Sequence, residues 1–351
     1  MSGPPILEFF VEHFFRGKRV DSFLERHLRS YTEFQIHRLL RADCVWVNDC
    51  QADCNTRVKT NDCVRVRLIS PPDRCADADP IPLEILFEDA WLLVVNKPPG
   101  QMAHPGGRFQ TQTLMNAIQY HLDQQTKQPG LLRPGIVHRI DRQTSGVMVV
   151  PKDHISHRVM TAQFEHKRVC KSYRAIVHGR VADDTGRIDM PIGLIPNIYS
   201  SLMCSKPCAR DPRPATTSYR VLERFADYTF VEALPLTGRH HQIRIHFSEI
   251  GHPLLADEFY GPFGEIKDGT PLFTPEHLPE LPPARGQVDD ENELEEPAES
   301  PFFDPALPLR RHALHAASLS IAHPISGLAM GFEAPLSPDM QEALIALRDN
   351  R

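Results

Sequence analysis

Near the N-terminus the apolar positions keep a helical period: Val20, Leu24 and Leu28 share one face, and Asp21 stands where it can cap free backbone N–H groups. Thr32 followed three residues later by Gln35 has the form of a capping box, and it predicts a second helix carrying Phe34, Ile36, Leu39 and Leu40. The period then shortens to two. Cys44 to Asn48 reads as a strand, Asn48-Asp49 as a tight turn, and Asp62 to Ile69 alternates Val64, Val66 and Leu68 against Arg65 and Arg67. The pattern predicts a small αα-β module within residues 1–70, its core over 18–70, near the lower size limit for independent folding.

Pro71-Pro72 and the Asp/Ala/Pro-rich stretch to Pro82 predict a linker over 71–82, because proline lacks a backbone donor and restricts the residue before it. A second domain is expected over 83–351. Strand-like runs at Leu83–Phe87 and Leu92–Val95 precede a Pro-Pro-Gly turn and a helix with Leu114, Ile118 and Leu122 on one face. Further strands are predicted at Val147–Val150, Ser172–Val177 and Tyr228–Leu234, with one helix ending near Lys167 and another after Gly238. Ala317–Ala322 and Leu328–Glu333 form a hairpin-like pair turned by Ser326-Gly327, and Ser337-Pro338 opens a last helix. Strands and helices mixed without a strict βαβ rhythm imply an α+β domain rather than a doubly wound one.

Composition refines this picture. No apolar run reaches the roughly eighteen residues of a membrane span, and Glu8 and Glu12 interrupt the N-terminus before a signal-type stretch can form, so a cytoplasmic protein is expected. Cys44, Cys50, Cys54, Cys63, Cys75, Cys170, Cys204 and Cys208 are irregularly spread, which implies reduced thiols. The first four lack the paired C-x2-C clips of a zinc site, so no metal is expected there. The formal charge of −6 looks wrong for a nucleic-acid binder until it is located. Between Pro275 and Asp304 stand ten acidic residues and one basic one, Arg285, a local net of −9 that leaves +3 on the rest. That proline-rich stretch is expected to be a flexible insertion over about 264–307.

The sharpest chemical feature is PGIVHRIDRQTSGVMVV, two strand-like runs around a polar turn holding His138, Arg139, Asp141, Arg142, Thr144, Ser145 and Gly146. On composition alone an aspartate in such a turn is more often a backbone cap than a catalyst. The surroundings change that. The stretch resembles the HRLDxxTSG signature of the RluA-type pseudouridine synthases, with Ile140 in place of Leu. VVNKPPGQMAHP before it, and KSYRAIVHG, LPLTGRHHQIRIHFSEIGHPLLADEFYG and LRRHALHAASLSIAHPISG after it, stand in that family's order, so the resemblance spans nearly everything from residue 80 onward apart from the acidic stretch. The N-terminal module resembles the small RNA-binding domain named after ribosomal small-subunit protein four, with Asn48-Asp49 where relatives usually carry Asn-Gly.

The resemblance implies a pseudouridine synthase fold, with a central mixed, mainly antiparallel sheet flanked by helices and loops. It also implies an isomerase acting on structured RNA without metal or cofactor, with large-subunit ribosomal RNA the first expectation and transfer RNA the second. Asp141 corresponds to the catalytic aspartate, Tyr173 to the ring on which the target base stacks, with its hydroxyl a candidate for removing the C5 proton, and Arg244 to the cation that keeps the aspartate ionised through two parallel hydrogen bonds. Arg139 matches the arginine that fills the space left by the extracted nucleotide, while Lys97, His138, Arg142, Thr144, Arg239, His240 and His241 are candidates for substrate contacts. In the N-terminal module Arg26, Arg29, His37, Arg38 and Arg41 are expected to face backbone phosphates, and a monomer without obligate protein partner is expected. Two other classes stay open at this point: a non-catalytic RNA-binding protein on the same fold, and an Asp/His hydrolase built on His138 and Asp141, which would need a nucleophile or metal cluster that the sequence does not display.

Overall fold

The helical spacing near the N-terminus becomes α1 (Val20–His27) and α2 (Glu33–Arg41) in the computed structural model, which describes residues 6–29, 31–68, 77–106, 110–125, 132, 134–195, 202–266 and 304–349. The capping box forms: Thr32 Oγ1 accepts from the Gln35 N–H at 3.3 Å while Gln35 Oε1 accepts from the Thr32 N–H at 2.8 Å. Four antiparallel strands, β1 (Ile6–Phe10), β2 (Val45–Val47), β3 (Cys50–Gln51) and β4 (Cys63–Arg67), pair in the order β1-β4-β2-β3. Phe23, Leu24, Ile36 and Leu40 from the helices pack with Val45, Val64 and Val66 from the strands. The turn after β2 holds Asn48 and Asp49 at φ 48° and 69°, so both residues adopt the left-handed backbone that a two-residue hairpin needs.

Strand β1 lies upstream of the expected core over 18–70. ILEFF carries apolar residues at both parities, so neither period dominates; Leu7 and Phe9 turn inward while Ile6 and Phe10 stay exposed.

A nine-stranded sheet forms the second body. Its strands are β5 (Ile85–Glu88), β6 (Leu92–Lys97), β7 (Ser145–Pro151), β8 (Cys170–His178), β9 (Thr185–Asp189), β13 (Thr216–Arg224), β14 (Tyr228–Pro235), β15 (Leu314–Ala322) and β16 (Ala329–Glu333). The order is β5-β6-β7-β15-β8-β14-β13-β9, with β16 on β15, and among the described residues only β7 and β15 pair in parallel. Between β9 and β13 lies a three-stranded sheet of β10 (Ile192–Leu194), β11 (Met203–Cys204) and β12 (Arg210–Arg213). Helices α3 (Leu114–Asp123), α4 (His154–Glu165), α5 (Gln242–Glu249) and α6 (Pro338–Asp349) complete the domain. The sheet is mixed and mainly antiparallel, as the motifs implied. Leu92 to Val95 and Val147 to Val150 are buried throughout, consistent with strands covered on both faces.

The predicted acidic insertion lies outside the described residues from 267 to 303, and the linker predicted over 71–82 does so from 71 to 76. The edges of the insertion are narrower than expected, because Ile266 and Leu307 are buried and Asp304 accepts a hydrogen bond from the Tyr228 hydroxyl at 2.7 Å. Among the described residues no helix is long and apolar enough to cross a membrane.

The two bodies meet at Trp91. Arg26 and Arg29 place their guanidinium carbons 4.7 and 4.4 Å from the indole centroid. Arg29 also donates to the Ala90 carbonyl at 2.7 Å and lies 3.4 Å from Asp153, while its own carbonyl accepts from the His154 N–H at 3.2 Å. These two arginines, expected to face RNA phosphates, are thus turned to the junction, where an aromatic face attracts a cation. Arg38 and Arg41 lie exposed on α2.

Candidate active site

The turn bearing Asp141 is anchored from below. Lys97, fully buried at the end of β6, donates to the carbonyls of Pro98 at 2.9 Å, Gln101 at 2.8 Å and Arg142 at 2.9 Å. Its ammonium therefore ties two loops together and is not a substrate contact. Arg142 is likewise turned away, donating to the Gly100 carbonyl at 3.0 Å. His138 accepts from the Val149 N–H at 3.0 Å and stacks on Phe164; burial and the charge of Lys171 push its pKa down to about 3, so it is a neutral acceptor rather than a phosphate-binding cation. Gly146 has φ 117°, and a Cβ there would sit 2.2 Å from the Ala316 carbonyl oxygen, so only glycine lets β7 approach β15 closely enough to hold the turn.

Opposite Asp141 lies Arg244 on α5, wholly buried. The two-pronged pairing expected for Asp141 goes instead to Asp257: Nε donates to Oδ2 at 2.8 Å and an Nη2 proton goes to Oδ1 at 2.9 Å. Glu258 Oε1 lies 3.2 Å away, and Asp141 Oδ2 takes a single contact from Nη1 at 3.5 Å. The fork of Arg244 is consumed by Asp257, which fixes the plane of the guanidinium, and its remaining side is aimed at Asp141. Glu258 also accepts from the Nδ1–H of His312 at 3.0 Å, and His312 Nε2 lies 2.8 Å from Thr144 Oγ1. Thr144 thus belongs to the scaffold of the turn. Asp257, Glu258 and His312 received no role from the sequence, although LADEFYG and LRRHALH contain them.

Burial pushes the Asp141 carboxyl up, but the Arg244 guanidinium, helped by His240, His312 and Arg139, outweighs it and holds the group below the ordinary carboxylate value. The carboxylate is therefore ionised at neutral pH.

Asp141 faces a cavity of about 390 Å³, whose walls include Arg139, Tyr173, Arg239, His240 and Arg244. Tyr173 sits on β8 between two hydrophobic clusters, and burial together with the Asp141 charge pushes its phenol far above the usual value. The phenol stays protonated. Gln242 fixes the loop between β14 and α5: its Oε1 accepts from Thr237 Oγ1 at 2.7 Å and the Arg239 N–H at 3.0 Å, and its Nε2 donates to Thr216 O at 2.9 Å and Thr217 Oγ1 at 3.0 Å. That loop presents Arg239, His240 and His241 to the cavity, and His241 Nδ1 lies 2.8 Å from the Tyr260 hydroxyl. One ligand-capable atom each from Asp141, His240 and His241 lies within 4.8 Å of the others, a potential chelate that the sequence did not suggest. Lys171, also unassigned by the sequence, completes the wall beside Tyr173.

Residues 91–249 match the RNA pseudouridylate synthase family. An uncharacterised RNA pseudouridine synthase of Bacillus subtilis is 34% identical over 335 residues, covering 95% of this chain and 96% of the relative. The chain belongs to the RNA pseudouridine synthase family. A ribosomal large subunit pseudouridine synthase D from Nitrosomonas europaea is 33% identical, covering 98% of this chain and 88% of its own length. Among solved structures, human RNA pseudouridylate synthase domain containing 4 superposes with a TM-score of 0.52 at 24% identity over 76% of this chain and 93% of the other, which establishes the shared fold. As a pseudouridine synthase the protein is an isomerase, and three of the motifs that suggested an RluA-type enzyme, around Asp141, Tyr173 and Arg244, line the cavity.

Proposed function

We propose that the protein isomerises specific uridines of large-subunit ribosomal RNA, with Asp141 as the catalytic carboxylate. In this reaction the N1–C1′ bond breaks, the uracil turns, and a C5–C1′ bond forms; the C5 hydrogen leaves as a proton and N1 gains one. Whether it acts as nucleophile or as base, the carboxylate must be ionised next to a flat and weakly polar ring. The observation that carries the reading is the buried Arg244, oriented by Asp257 and reaching Asp141 at the edge of a base-sized cavity. Because the Tyr173 phenol is held protonated, its contribution is best read as a stacking surface and O–H donor rather than as a phenolate base. Extruding a base from its stack costs a few kcal/mol, and Arg139 at the cavity wall is suited to fill the space left behind.

The choice of ribosomal RNA rests on relatives named for the large subunit, from Nitrosomonas europaea, Haemophilus influenzae and Zymomonas mobilis, at 31–34% identity over at least 93% of this chain. The N-terminal module, with Arg38 and Arg41 exposed, is read as an RNA-binding accessory acting in the cytoplasm. Pseudouridine mapping of total RNA from cells with and without the gene product tests the substrate. Loss of a site in the large-subunit RNA supports the reading, and loss confined to transfer RNA replaces it.

A further inference from the structure

Lys171 stands out once the catalytic groups are placed. It belongs to β8, two residues before Tyr173, so strand alternation puts both side chains on one side of the sheet, roughly 7 Å apart along the strand. Both line the cavity. The Lys171 ammonium donates to the Thr237 carbonyl at 3.0 Å, and among the described residues no carboxylate pairs with it. A Cβ built on Gly238 would lie 3.3 Å from Nζ, so the loop before α5 closes directly over it. A half-buried cation without a counter-ion costs free energy, which a ligand supplying the missing charge would recover.

The surrounding charges fit an anionic visitor. Arg139 comes from the loop before β7, Lys167 from the end of α4, and Arg239 from the loop before α5; the acids of the cavity wall are Glu165, exposed at its rim, and Asp141, already opposite Arg244. Burial lowers Lys171 to about 8, and its charge helps keep the neighbouring His138 neutral.

We propose that Lys171 binds a backbone phosphate of the RNA strand beside the extruded uridine, so that Tyr173 holds the base while Lys171 holds the adjoining phosphodiester. The proposal rests on the synthase reading and adds a phosphate subsite to it. A nucleotide offers its anion at about the reach that the strand spacing provides. The bond is charge-assisted, and it gives a half-buried ammonium the counter-charge it lacks.

The test uses full-length enzyme and RNA labelled with tritium at uridine C5, with wild type alongside Lys171→Met and Lys171→Arg. Lys171→Met should raise KM roughly ten- to hundred-fold with a smaller change in kcat. It should also make the slope of log affinity against log salt shallower by about 0.7, the share of one phosphate on a single strand. Lys171→Arg should recover most of the affinity. As pH rises through about 8 the free ammonium of the wild type loses its proton, so RNA affinity should fall there, while Lys171→Arg should stay flat. Unchanged KM, salt slope and pH profile in Lys171→Met would overturn the proposal, as would a loss confined to thermal stability, which would leave Lys171 a loop anchor on Thr237. Tritium release by the wild type keeps the synthase reading separate, since that release can be present while every Lys171 effect is absent.

Discussion

At the residue scale the decisive group is Arg244, because it serves three carboxylates. Asp257 takes its fork, Glu258 Oε1 lies 3.2 Å from Nη2, and Asp141 receives the remaining side. Arg244→Leu would leave three acids without their common cation, a change that costs about 3–5 kcal/mol for a buried pair, so it should abolish turnover and lower thermal stability together. Arg244→Lys separates the two effects. It keeps the charge but loses the planar fork, so the protein should fold while turnover falls about a hundred-fold or more. The pH dependence follows from the same contact. Asp141 is held below its ordinary value, so its ionised form is present at neutral pH and is lost only as pH falls through that lowered value. Weakening the arginine contact lets burial raise the group, and the acid limb of the kcat/KM profile in Arg244→Lys should move to higher pH. An acid limb in the same place as the wild type would detach Arg244 from the ionisation of Asp141.

At the element scale, β7 and β15 hold the aspartate turn, and their parallel contact depends on Gly146. Gly146→Ala combines a positive φ with a clash against backbone, so it should cost on the order of 3 kcal/mol or prevent folding, measured by chemical denaturation. Thr32→Ala, which removes one half of the capping box on α2, should cost only about 1 kcal/mol and leave turnover unchanged. What the sequence made legible follows the same logic. Strands buried on both faces, such as Leu92–Lys97, and helices with a strong cap announce themselves through local pattern. In contrast, β13 (TTSYRVLER) and β9 (TGRID) present mostly polar, half-exposed positions, and their strand character comes from pairing with each other and with β14. The site divides in a similar way. Asp141, Tyr173 and Arg244, singled out by their motifs, line one cavity, whereas the commitment of Lys97 to three carbonyls and of Arg244 to Asp257 depends on neighbours far along the chain.

On the scale of the whole molecule, the N-terminal module is docked rather than merely tethered, through Arg26 and Arg29 on Trp91. Trp91→Ala should loosen this junction and lower the denaturant midpoint of the N-terminal module, with little effect on chemistry when the substrate is a short RNA. Removing residues 1–70 should weaken affinity for long RNA and flatten its salt dependence, since Arg38 and Arg41 leave with the module. The central claim concerns the other body: an ionised Asp141, steadied by Arg244, rearranges the uridine. Its most direct test is tritium release from C5-labelled RNA by Asp141→Asn, an uncharged side chain of nearly the same shape, beside wild type. The variant should bind RNA with near-normal affinity and release no tritium over background; release at a rate close to wild type would contradict the account.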